Sequence, residues 1–278
     1  EWLRPPPELE RIVGQSLPLH AWKSTPYTSP ASASPTTQIG EGGSAVYSKA
    51  AEAMSALIEG NQRFVSGDIA GKPTAYPFLA ALSGGEGIAT TESLSDISDE
   101  DPMAIVVTGS EVALPAESIF DAVPGSLIVQ RSMCNIAGRP GGTLFSSLEY
   151  AVQKWGPKLL VVMGESHSSV IEESFNQLAG KKPPSTAQSS IISRVMISTL
   201  RAQQQMPDAS TSAGRDNQMR QTAVELNALY TIECLMTSPI IAKAVKEDGL
   251  ELHGAVLDCT SGKVKFLGEH PMKAELAK

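Results

Sequence analysis

Two stretches of the chain, and three scattered cysteines, carry side chains that could do chemistry. Hydroxyls crowd around His167 at Ser166, Ser168 and Ser169. A serine beside an imidazole suggests a hydrolase, in which the ring takes the hydroxyl proton as the oxygen attacks. The Gly-x-Ser-x-Gly turn that would expose such a serine does not surround them. The run Gly138-Arg139-Pro140-Gly141-Gly142 has the glycines of a phosphate cradle but lacks the Lys-Ser/Thr pair that completes one. The three cysteines, Cys134, Cys234 and Cys259, are too few for a disulfide framework. Cys134 reads as a small buried filler, Cys234 as core beside Ile232 and Leu235 on a helix, and Cys259 as a turn residue. His253 reads as a satisfied strand histidine, and His20 and His270 as solvent-facing.

The elements that must position these residues follow from apolar periodicity. Met54, Leu57, Ile58 and Val65 recur at helical spacing and end at Gly67. Apolar runs at 103–108, 127–130 and 159–163 predict buried parallel strands, separated by helices over 116–123 and 144–155. Helices follow at 170–178 and 191–204, broken by Lys181-Lys182-Pro183-Pro184, with polar loops at 83–102 and 205–218. Val224, Ala228, Ile232 and Leu235 form another helical stripe. Ser238-Pro239 restarts a helix that Gly249 closes, and strands at 253–257 and 263–267 flank the turn Thr260-Ser261-Gly262. Strands alternating with helices define an α/β chain with a mostly parallel sheet.

Composition narrows the function further. The 278 residues hold 22 Lys+Arg against 30 Asp+Glu, a formal net charge of −8. This acidic balance, without basic clusters, argues against a nucleic-acid groove, and no run of 18 apolar residues predicts a membrane span. The organisation splits into an arm at 1–45 and a domain at 46–278. The arm opens with Arg4-Pro5-Pro6-Pro7 and is dense in Ser, Thr, Pro and Gly over 23–43, too poor in apolar surface to form a core. Trp2, Leu9, Ile12 and Trp22 are its candidate anchors on a partner protein. The chain opens on Glu1 rather than Met, which gives the expectation of a processed or truncated chain with any targeting peptide missing from view.

The domain resembles the β-class carbonic anhydrases over residues 46–268. The likeness rests on Gly60, Asn61, Arg63 and Phe64 of a Gly-Asn-x-Arg-Phe motif, on Glu117, Ile119, Phe120, Asp121, Pro124, Gly125, Leu127, Val129, Arg131 and Asn135 in register, and on Ser147-Leu148-Glu149-Tyr150-Ala151-Val152. It extends through the strand at 159–164 and the closing segment 250–267. The resemblance implies a central mostly parallel sheet flanked by helices. It also implies a zinc ion held by two cysteines and a histidine at the carboxyl ends of the strands, and an Asp–Arg pair beside it. The zinc lowers the pKa of bound water so that hydroxide can attack carbon dioxide.

The motifs that carry this chemistry are altered in this sequence. The family's Cys-Ser-Asp-Ser-Arg-Val reads Gly109-Ser110-Glu111-Val112-Ala113-Leu114, so the first thiolate is lost, the aspartate is lengthened and its arginine is gone. The family's Gly-His-Ser-x-Cys-Gly reads Gly164-Glu165-Ser166-His167-Ser168-Ser169, which replaces the histidine ligand by Glu165 and the second cysteine by Ser168. A serine hydroxyl stays protonated near neutral pH and is a poor zinc ligand beside a thiolate. Cys134 stands where the family's Arg-Asn-Ala-Gly-Asn turn has glycine. The expectation is a protein with no zinc or other cofactor and no carbonate dehydratase activity, serving as an accessory subunit or scaffold. The partners expected are protein subunits bound through the arm, in a photosynthetic complex of the chloroplast, with a homodimer through the sheet edge and N-terminal helix implied by the resemblance. The alternative is an enzyme, or a metal- or bicarbonate-binding protein, with a site rebuilt from Glu111, Glu165 and His167, a set suited to a harder divalent ion.

Overall fold

The structure is a computed structural model that describes residues 49–69, 102–123, 125–180, 186–205 and 213–277. The arm with Trp2, Leu9, Ile12 and Trp22, nearly all of the polar run at 83–102 and the break at 181–184 lie outside the described residues. In chain order the elements are α1 (Ala50–Ser66), β1 (Ala104–Gly109), α2 (Ala116–Ile119), β2 (Leu127–Ser132), a 3-10 turn (Met133–Asn135), α3 (Thr143–Trp155), β3 (Leu159–Glu165), α4 (Ser169–Leu178), α5 (Thr186–Gln205), α6 (Ala213–Leu235), α7 (Pro239–Glu247), β4 (Glu251–Leu257), β5 (Val264–Glu269) and α8 (Lys273–Leu276). The sheet order is β2-β1-β3-β4-β5, parallel except for the β4/β5 pair. The sequence expectation of an α/β fold with a mostly parallel sheet flanked by helices holds.

The continuous apolar runs have a simple physical cause. β1 and β3 are buried along their whole length, because helices cover both faces of the sheet. Ile105, Val107, Leu160 and Val162 join Phe145, Leu148 and the α6 stripe on one face. Val106, Leu159, Val161 and Met163 meet Met54 and Leu57 of α1 on the other. Each fully buried side chain of this size contributes about 1.5–3 kcal/mol.

The Gly-Asn-x-Arg-Phe segment fastens α1 to this sheet. A Cβ at Gly60 would sit 1.7 Å from the Phe120 carbonyl oxygen, so only glycine lets the helix approach so closely. Asn61, buried, donates to the carbonyls of Ile119 (3.1 Å) and Gly262 (2.9 Å) and accepts from the Val264 amide (2.8 Å). Arg63 Nε pairs with Asp121 at 2.6 Å.

Several boundaries differ from the sequence expectation. The helix expected over 116–123 stops at Ile119, because Asp121 turns to φ 43° and meets Arg63. α6 begins at Ala213, inside the run expected to be a loop; its first turns are polar because they face solvent. Val65 is 45% exposed rather than on the buried face of α1. His270 is buried, 3.3 Å from the Glu233 carboxylate, not solvent-facing. No single helix among the described residues is long and apolar enough to cross a membrane.

Candidate functional site

The carboxyl ends of β1 and β3 lie side by side at the centre of the sheet, the edge at which open α/β sheets bind ligands. β1 ends on Gly109 and β3 on Glu165. The Glu165 carboxylate folds over the glycine: a Cβ on Gly109 would lie 2.2 Å from Oε2 and 2.4 Å from Oε1. Glu165 is 1% exposed, and neither carboxylate oxygen has a partner at hydrogen-bonding geometry among the described residues. Burial pushes its pKa up to about 7, and the Glu111 charge adds to the shift; its own backbone N–H and the Arg131 charge oppose it only in part.

Glu111 is otherwise engaged. Its Oε2 accepts from the Ser169 amide at 3.1 Å and lies 3.5 Å from the Ser168 hydroxyl, so it caps the amino end of α4. A carboxylate there meets unpaired N–H groups and the positive end of the helix dipole. Ala113 is exposed and offers the acid no cation. His167 is also exposed, with Nδ1 3.1 Å from the Ser166 hydroxyl, which itself accepts from the Cys259 amide at 3.0 Å. Ser166, His167 and Ser168 line a cleft of about 750 Å³ that Arg220, Val224 and Lys263 close from the other side.

Ser168 is buried, its hydroxyl 3.4 Å from the Cys134 sulfur. Cys134 and Asn135 both have positive φ, 53° and 47°. That left-handed geometry explains glycine at the first of these positions in the resembling family, and it costs a cysteine about 1–2 kcal/mol. Two α6 side chains hold the turn: Asn227 donates to the Cys134 carbonyl at 3.0 Å, and Thr231 donates to the Asn135 carbonyl at 3.3 Å. Burial pushes the Cys134 thiol up to about 12, so it is a protonated filler. Asn227 and Thr231 were not singled out from the sequence; on a helix stripe they read as its polar face.

The three residues of the alternative site therefore do not converge. Glu165 lies over Gly109, Glu111 caps α4 and His167 faces outward. Among the described residues, the His/Cys/Asp/Glu group whose ligand atoms all lie within 4.8 Å of one another is Glu251, His253 and Glu269.

The corner also fails to fit the zinc ion that the resemblance implies. Gly109 has no donor atom, the space its side chain would need holds a carboxylate, and Ser168 presents a hydroxyl in place of a thiolate.

Fold and corner together define an α/β protein of the doubly wound kind, with its ligand corner at the ends of β1 and β3. The carbonic anhydrase family model matches residues 104–264, and the chain belongs to this family, in its β class. It is 27% identical over 215 residues to a carbonic anhydrase of Pseudomonas aeruginosa, covering 76% of this chain and 86% of that protein. Among solved structures it is similar to a tetrameric β-carbonic anhydrase of Sordaria macrospora (TM-score 0.57, 21% identity, 71% of this chain and 98% of that one). The β-carbonic anhydrase CafA of Aspergillus fumigatus is similar too (TM-score 0.55, 16% identity, 81% and 96%). At these identities the structures establish the fold alone.

Proposed function

We propose that this chain is a β-carbonic anhydrase-fold protein that does not hydrate carbon dioxide at the family's site and acts as an accessory or scaffold subunit. The observation that carries the reading is the Glu165 carboxylate lying 2.2 Å from the place where a Gly109 side chain would begin. Hydration in this chemistry needs a metal-bound hydroxide at neutral pH. A carboxylate with a pKa of about 7 beside a glycine supplies neither the ion nor its ligands. Meanwhile the framework contacts through Gly60, Asn61 and Arg63 are kept, as a structural role requires. The test is stopped-flow hydration of carbon dioxide by the full chain supplied with zinc. The expected rate is that of the uncatalysed reaction; turnover abolished by Ser168→Ala would overturn the reading.

The scaffold role places partner contacts on the arm, through Trp2, Leu9, Ile12 and Trp22, whose composition suits an extended segment that orders on binding. The assembly proposed is a photosynthetic complex in the chloroplast. Deleting residues 1–45 is expected to release the protein from that assembly on native gels. Unchanged association would sink the arm mechanism.

A further inference from the structure

A second group of ligand-type side chains lies at the opposite end of the sheet. Glu251 and His253 are two residues apart on β4 and so share one face. Glu269, on β5, is the antiparallel partner of His253. A register shift between Gly254 and Ala255 sets that pairing. The imidazole is 3% exposed, and its Nε2 lies 2.8 Å from Oε2 of Glu251. The carboxylates of Glu251 and Glu269 keep an open side to solvent, at 40% and 34% exposure. Lys273 Nζ binds Oε1 of Glu269 and brings one positive charge to the pair of carboxylates.

Two carboxylates and one imidazole, mounted on adjacent hydrogen-bonded strands, are the donors a zinc or cobalt ion takes, with the open side left for water. A divalent ion would offset both carboxylates, where the lysine offsets one. We propose that Glu251, His253 and Glu269 form a divalent transition-metal site, with Lys273 as the internal cation that the metal displaces. The site ties β4 to β5 and stands apart from the family's corner. Glu165 pairs with Leu257, four residues beyond His253, so about 13 Å of strand separates the two at roughly 3.3 Å per residue.

Zinc titrated calorimetrically into the chelator-treated full chain tests this, with cobalt absorption as a second readout. One equivalent is expected to bind. Glu269→Gln and Glu251→Gln, both at partly exposed carboxylates, are expected to weaken binding at least tenfold while far-UV circular dichroism stays unchanged. Lys273→Met is expected to tighten it several-fold by removing the competitor. An absence of saturable binding overturns the proposal. So does binding that survives Glu269→Gln, which would put the metal on other side chains such as His167 or Cys259, or weaker binding in Lys273→Met.

Discussion

Glu165 and Gly109 are a coupled pair: the carboxylate of one occupies the volume that any side chain on the other would enter, 2.2 Å from the would-be Cβ. A cysteine at 109 therefore requires the Glu165 carboxylate to leave its present rotamer.

Gly109→Cys alone is expected to lower stability by about 1–3 kcal/mol through overpacking. Combining it with Glu165→His should recover most of that loss, a positive coupling measurable in a double-mutant cycle by urea unfolding. Adding Ser168→Cys completes a Cys-His-Cys set, and the triple variant is expected to hold one more equivalent of zinc than the parent by elemental analysis. Additive losses would show that the two side chains do not compete.

Glu165 also fixes a pH dependence. Its native pKa of about 7 stands above the ordinary 4.5, so between these values the folded state binds more protons than the unfolded state. Stability from this group therefore falls as pH rises from about 4.5 to about 7 and is flat above, a total of about 3 kcal/mol at roughly 1.4 kcal/mol per unit. Glu165→Gln is expected to remove the fall and to raise the urea midpoint at pH 8 relative to pH 5. The same change at both pH values would contradict the burial argument.

The thiols should separate by reactivity. Burial pushes both Cys134 and Cys234 up to about 12, whereas Cys259 is exposed. Iodoacetamide at pH 8 is expected to alkylate Cys259 alone in the folded protein and all three cysteines in guanidinium, read by peptide mass mapping.

The ion pair between α5 and α6 is a stability hot spot. Arg201 grips both oxygens of buried Glu233, at 2.8 and 3.3 Å, and His270 lies 3.3 Å away. Burial alone would raise the Glu233 pKa; the hydrogen bonds from His270 and Arg201 outweigh it and hold the group below its ordinary range. Its contribution is thus present above the unfolded carboxylate pKa and lost as pH falls through the lower folded value. Arg201→Met strands a buried charge and is expected to cost about 3–5 kcal/mol at pH 7, while Arg201→Met with Glu233→Met costs less. Equal losses would mean that the pair acts only through packing.

Legibility from sequence tracked the range of the interaction. β1 and β3 were readable because a strand covered on both faces is apolar at every position. The motif substitutions at Gly109, Glu165 and Ser168 were readable because they sit in fixed register with framework residues. The helix end at Ile119 was not, since it depends on Asp121 meeting Arg63, 58 residues earlier. The roles of Asn227 and Thr231 were hidden for the same reason, their partners lying more than 90 residues away. Glu111 read as a candidate ligand because nothing in its neighbourhood announces the amide of Ser169. The Glu251–His253–Glu269 group stayed invisible because its third member arrives through a shifted strand register.

Asn61 joins α1 to Gly262 and Val264, 201 and 203 residues downstream. Two of the three Asn61 hydrogen bonds that anchor this helix therefore form only once the last described hairpin exists. During translation at roughly 5–20 residues per second, the Asn61 side chain therefore waits on the order of ten to forty seconds for these partners, although β1 and β3 supply the apolar surface that covers Met54 and Leu57 well before then. The C-terminal hairpin is thus the element whose arrival completes the polar anchoring of α1.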